Sequence, residues 1–288
     1  MSDSIDSYEK FLEDMKIKKE EFINWGLNNI IGLGEKEYIQ IVKSAWENET
    51  LKIIKHYEKN KNLKDLNISN DFWPAIRRKD MNNNDNKKRN VYKEVYNKIF
   101  PEFTYKVYNE KEYNNVGDNV KNIIMCSRDG NNLAGKTLTT LLKRYDEKFS
   151  KSNIGIKEYY KGYSICHVFE GANNWILYRC PWNLLLVPNL YVSLTDKNSP
   201  KVKFKAEFAE AMREKVRKTF KKEIEEYNEF LKKFDIENRI KLEKDNSKDK
   251  NGYAYVMNNW RIIDWTNVTW PIGLQKHSKI NKIITNWF

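Results

Sequence analysis

The chain is predicted to fold as α+β, and three observations predict it. Apolar residues recur at three- and four-residue steps over long stretches on either side of the middle, which is the spacing of amphipathic helices. A central stretch instead reads as two short β-strands around a cluster of turn residues. Repeated alternation of strand and helix is missing, so a doubly wound parallel sheet is not expected. The expected arrangement is an α-rich N-terminal region over 1–118, a central ββα-like hairpin with a long helix over 119–240, and an aromatic C-terminal region over 241–288.

Taken in order, 5–27 and 35–59 read as helices joined by Ile30-Ile31-Gly32-Leu33-Gly34, with Tyr38, Ile41, Val42, Ala45, Leu51 and Ile54 giving the second its helical spacing. Residues 79–90, KDMNNNDNKKRN, hold Met81 as their sole apolar residue and read as a linker or a DNA-contacting loop. A helix over 91–100 is stopped by Pro101, and a strand over 121–126 precedes a helix at 136–149. The hairpin strands are expected at 163–168 and 175–180, with Glu170, Gly171, Ala172, Asn173 and Asn174 in the turn. Beyond it, Val202, Phe204, Phe208, Met212, Val216, Phe220, Ile224, Tyr227, Leu231 and Phe234 predict one helix over 201–234. After a polar break at 242–251, the tail with Trp260, Trp265, Trp270 and Trp287 is expected to form short strands packed back on the body.

Fifty-two Lys and Arg against 40 Asp and Glu give a net charge of +12 in 288 residues. A field of that sign draws polyanions, nucleic acid first and an anionic membrane surface second. Hydrophobic residues make up 40% and aromatics 14%, enough for packed cores and against a mainly disordered chain. Cys126, Cys166 and Cys180 are an odd count without CxxC spacing, which excludes a four-cysteine zinc site and fits reduced thiols in a cytoplasmic protein. The N-terminal stretch lacks the apolar core of a signal peptide, and no run approaches the roughly 18 apolar residues of a membrane span.

The chemistry concentrates in 162–198. His167, one of three histidines, falls on the first hairpin strand, and Asn183 falls just past the second. An imidazole on a stiff strand can serve as a general base, since its ordinary pKa of about 6.5 lies near neutrality. An asparagine at the hairpin exit can tie the loop down or orient that imidazole.

Cys166-His167-Val168-Phe169, then Asn183-Leu184-Leu185-Leu186-Val187-Pro188, then Leu194-Thr195-Asp196 resemble the HNH or ββα-metal nucleases over about an eighth of the chain. The resemblance implies a metal-dependent DNA endonuclease, of the restriction or phage-defence kind, with His167 activating water against a phosphodiester and Asn183 as the central asparagine of the motif. Cys166 stands where the family often has a metal-binding aspartate. Asn189, Asp196 and Asn198 compete for the last motif position, and Mg²⁺ or Mn²⁺ is the expected metal, held chiefly by Asn189 or Asp196. The large regions around the hairpin leave room for sequence reading. Double-stranded DNA is the expected partner, with a homodimer as one way to cut both strands and no membrane involved. Arg213, Arg217, Lys218 and Lys221 on the polar side of the long helix are expected to follow the phosphate backbone.

A rival pattern lies upstream. Gly130-Asn131-Asn132-Leu133-Ala134-Gly135-Lys136-Thr137 fits GxxxxGK[ST], in which backbone N–H groups, Lys136 and Thr137 would hold a nucleotide's phosphates and Mg²⁺. Three polar residues separate the apolar run from Gly130, and no clear strand ending in a Mg²⁺-binding aspartate follows. A glycine-bracketed turn before a helix is therefore preferred. A P-loop protein and a nucleic-acid-binding protein without catalysis remain the alternatives.

Overall fold

The computed structural model describes residues 7–77, 96–107, 122–127, 131–169, 171–195, 205–246 and 256–263. The fold is α+β, and buried residues from Leu12 to Ile263 pack into one core cluster to which all three expected segments contribute. Among the described residues, no helix is long and apolar enough to cross a membrane.

The helix expected over 5–27 is two, α1 (Ser7–Asp14) and α2 (Lys19–Asn28). Lys16 adopts a φ of 54°, a left-handed conformation that an L-residue helix cannot continue, and the Lys18 N–H then donates to Glu21 Oε2 at 3.3 Å to open the second helix. α3 (Lys36–Ala45) runs through a π-helical turn at Trp46–Thr50 into α4 (Leu51–Asn60), as the spacing over 35–59 predicts, and it buries Tyr38, Val42, Ala45, Ile53, Ile54 and Tyr57.

Next comes an element that the sequence reading did not foresee. β1 (Ala75–Arg77), β2 (Thr104–Val107) and β3 (Ile123–Ser127) form a parallel sheet in the order β1-β3-β2, with Arg77 in register with Ser127. The strand expected over 121–126 is β3, shifted by a residue or two. Its partners have three and four residues, too few to show a periodicity. α5 (Asn132–Tyr145), α6 (Glu147–Lys151) and α7 (Ile156–Tyr159) follow, and Asp146 separates the first two by accepting from the Phe149 N–H at 3.0 Å.

β4 (Tyr163–His167) pairs antiparallel with β5 (Leu184–Pro188), and α8 (Asn189–Thr195) follows at once, which gives a ββα order. The first strand is where the pattern placed it, but the second is not at 175–180. There Asn174 Oδ1 accepts from the Ile176 and Leu177 N–H groups at 2.9 and 3.0 Å, winding the chain into 3₁₀ turns at Leu177–Arg179 and Pro181–Asn183. The true strand is the unbroken apolar run Leu184-Leu185-Leu186-Val187-Pro188. Every residue of it is buried, so it lacks alternation, and Leu186 also bridges to Ile31.

The long helix is likewise divided, into α9 (Lys205–Thr219) and α10 (Lys221–Lys233), followed by α11 (Ile236–Asn246). The break falls at Phe220, beside Thr219, whose hydroxyl donates back to the Lys215 carbonyl at 2.8 Å in the manner that bends helices. The predicted apolar face survives it, with Phe208, Met212, Val216, Phe220, Ile224, Tyr227, Leu231 and Phe234 all buried. In the tail, 256–259 form a helical turn in place of the expected strand, and buried Trp260 packs on Phe100 and Trp175 at 4.9 and 5.7 Å between ring centroids. The loop at 79–90 and Trp265, Trp270 and Trp287 lie outside the described residues.

Candidate functional site

β4 ends on His167, where the ladder pairs it with Leu184 and the connecting loop begins. The imidazole stacks on the Tyr178 ring at 5.3 Å and 10°, and its Nε2 lies 3.0 Å from the Tyr178 carbonyl oxygen. A carbonyl cannot donate, so Nε2 carries the proton and Nδ1 keeps its lone pair. Burial lowers the His167 pKa to about 4; the Tyr178 hydrogen bond opposes this, and the nearby positive charge of Arg77 adds to it. At neutral pH the ring is an uncharged, oriented proton acceptor.

Asn183 holds the loop. It is fully buried, its Oδ1 accepts from the Phe169 N–H at 2.8 Å, and its Nδ2 donates to the Leu177 carbonyl at 3.0 Å. Its own carbonyl accepts from the Val168 N–H at 3.0 Å. One side chain thus ties the exit of β4 to the turn that carries Tyr178. Of the two roles open to this asparagine in the sequence, it takes the loop-holding one.

Of the expected metal residues, the two that are described, Cys166 and Asn189, do not come together. Strand alternation sends Cys166 away from the His167 face and toward α8, where its Sγ lies 3.3 Å from Thr195 Oγ1. Asn189 follows Pro188, the partner of Tyr163, so it stands at the far end of the hairpin from His167, roughly 13 Å along the strand. There it is exposed and accepts from Ser164 Oγ at 2.7 Å. Asp196 and Asn198 lie outside the described residues. Among the described residues, no group of three or more His, Cys, Asp or Glu could hold a metal. A thiol and a hydroxyl are too few, and the thiol too soft, for Mg²⁺ or Mn²⁺.

The basic residues of the long helix divide into two pairs. Arg213 and Arg217 are buried at 8% and 4% exposure. Arg213 Nε donates to the Val168 carbonyl at 3.1 Å, and Arg217 pairs with Glu210 at 2.7 Å and lies over the Phe169 ring. Both brace the His167 loop from behind and are not part of an outward ridge. Lys218 and Lys221 do reach solvent, with Glu214 and Glu225 near 4 Å as helix neighbours.

The glycine-lysine run is packed against the same loop. Asn132 already opens α5, so Gly135, Lys136 and Thr137 lie in its second turn and do not wrap a phosphate; Gly130 lies outside the described residues. The Thr137 hydroxyl is fully buried, donates to the Asp71 carbonyl, and accepts from Arg179 Nε at 2.8 Å. Arg179 also donates to the Asn70 and Trp73 carbonyls at 2.9 and 3.0 Å and to that of Asp71. It thereby fixes the turn on which Tyr178 sits. Tyr178, Arg179, Arg77 and Ser127 were not singled out in the sequence, because none lies in a motif and the fold alone assembles them.

No curated protein and no solved structure matches the chain. A family match does cover most of it, over residues 37–263, which takes in the parallel sheet, the hairpin, its loop and the helices that brace them. The chain therefore belongs to the family described as uncharacterised protein PM1201.

Proposed function

We propose that the protein is an HNH-type DNA endonuclease of the restriction or phage-defence kind. The observation that carries this is the ββα order of β4, β5 and α8, with His167 at the exit of the first strand, its Nδ1 left as the basic nitrogen, and Asn183 clamping the loop between the strands. In this reading Nδ1 takes a proton from water, the water oxygen bonds to phosphorus, the bond from phosphorus to the leaving oxygen breaks, and that oxygen is protonated from solvent. The net charge of +12 supports a polyanionic substrate, and exposed Lys218 and Lys221 would hold backbone on either side. Dependence on Mg²⁺ or Mn²⁺ belongs to the proposal.

A second reading, nucleic-acid binding without hydrolysis, is favoured by the low basicity of His167. Digestion of supercoiled plasmid with and without Mg²⁺ or Mn²⁺ separates the two: nicking by the wild-type chain that is lost in His167→Ala supports the nuclease, and binding without nicking under every metal supports the alternative.

A further inference from the structure

Arg77 and Tyr178 stand beside His167, and Ser127 stands beside Tyr178. Arg77 closes β1 and Ser127 closes β3, side by side in register at the carboxyl edge of the parallel sheet. Tyr178 stacks on the imidazole, and its hydroxyl points toward Ser127 and the amide of Ala134 in the first turn of α5. Two donors here are not used. Ser127 is 0% exposed, and with its Oγ beside the Tyr178 hydroxyl to accept from it, its own O–H has no acceptor; Arg77 Nε is likewise buried without one. Among the described residues no carboxylate pairs with the Arg77 guanidinium. Native structures rarely leave buried donors unmatched, and two of them on neighbouring strand ends, one on a cation, call for an acceptor that is itself an anion.

The geometry narrows the anion. A guanidinium fork beside a hydroxyl suits a tetrahedral oxyanion, on which two N–H groups can take one edge and the O–H a third oxygen. The carboxyl ends of parallel strands are also where open sheets bind their ligands. We propose that Arg77 and Ser127 form a phosphate site beside His167, occupied by a phosphodiester of the DNA backbone. The identity of the phosphodiester rests on the nuclease reading, whereas the anion site rests on Arg77 and Ser127 alone. Bound there, the phosphate would lie within reach of water held at His167 Nδ1, with the Arg77 charge on its equatorial oxygens.

The test is titration of the full chain with inorganic phosphate, and separately with a short DNA duplex, while the imidazole signals of the three histidines are followed by NMR. His167 should shift saturably, with His56 and His277 as internal controls. Arg77→Ala should weaken phosphate at least about tenfold, the usual loss for a charge-assisted bond, and Arg77→Lys, which keeps the charge without the fork, should fall between. Should Arg77→Ala fail to fold by circular dichroism, Arg77→Lys and Ser127→Ala are read in the same titration. Equal phosphate affinity in the wild type and the folded variants overturns the site. A shift with phosphate but none with duplex assigns the site to free phosphate and overturns the backbone assignment. Plasmid nicking separates the two levels: nicking with no Arg77 dependence of phosphate binding refutes this site and leaves the nuclease standing, while Arg77-dependent phosphate binding without nicking does the reverse.

Discussion

Replacing Asn183 by Ala tests whether the loop is held as described. The side chain is fully buried and bonds to backbone, accepting from the Phe169 N–H at 2.8 Å and donating to the Leu177 carbonyl at 3.0 Å. Alanine keeps the backbone bonds to Val168 and Cys180, and the Leu177 carbonyl still accepts from the Cys180 N–H at 3.2 Å, so the change strands the Phe169 N–H and removes one of two bonds from the Leu177 carbonyl. The Leu177 carbonyl, which keeps one partner, would lose about 1 kcal/mol, and the stranded, part-buried Phe169 amide about 1 more, so the sum is about 2 kcal/mol. Asn183→Asp should not rescue it, because a carboxylate keeps the acceptor, loses the donor and buries a charge. Urea unfolding followed by tryptophan fluorescence reads the effect as a midpoint roughly 0.7 M lower at unchanged slope. A loss below about 1 kcal/mol would refute the reasoning, since it would mean that the loop keeps its shape without its central clamp.

Other expectations follow from the same geometry. His167 titrates near 4 when folded and near 6.5 when unfolded, so its contribution to stability is complete above 6.5 and is lost as the pH falls toward 4, by at most about 3 kcal/mol; unfolding measured across that window should show the loss in the wild type and a flatter profile in His167→Asn. Neutralising Lys218 and Lys221 together should weaken binding to all duplexes alike and lower the salt slope by about one per lost phosphate contact, and an unchanged slope would make them plain surface. Lys136→Ala should leave DNA cleavage intact and independent of added nucleotide, whereas tight ATP or GTP binding lost in that variant would reinstate the P-loop.

What the sequence made legible follows from how local each signal is. The second N-terminal helix and the apolar face from Phe208 to Phe234 were readable because helical spacing is a property of a few turns, and the break at Phe220 was not, because Thr219 bends the helix without altering that spacing. His167 and Asn183 were readable as a pair because both sit in one run of the chain. The second strand was misplaced since Leu184–Pro188 is buried on both sides and shows no alternation, while 175–180 has strand-like residues that Asn174 folds into a turn. Arg213 and Arg217 looked like an exposed ridge because charge alone does not say which way a side chain faces; Val168, Phe169 and Glu210 turn them inward. Arg77 and Ser127 come together beside the His167–Tyr178 pair only through strand pairing between segments 50 residues apart in register, and no local pattern encodes that.

The central claim is that His167 Nδ1 is a general base for phosphodiester hydrolysis. Its most direct test is the plasmid-nicking rate of the wild-type chain against His167→Ala, in Mg²⁺ or Mn²⁺, with folding and duplex binding of the variant checked in parallel. General-base catalysis contributes typically 10²–10⁴-fold, so the variant should nick about a hundredfold or more slower while it stays folded and DNA-bound. Nicking at the wild-type rate, or no nicking by the wild-type chain under either metal, would contradict the account.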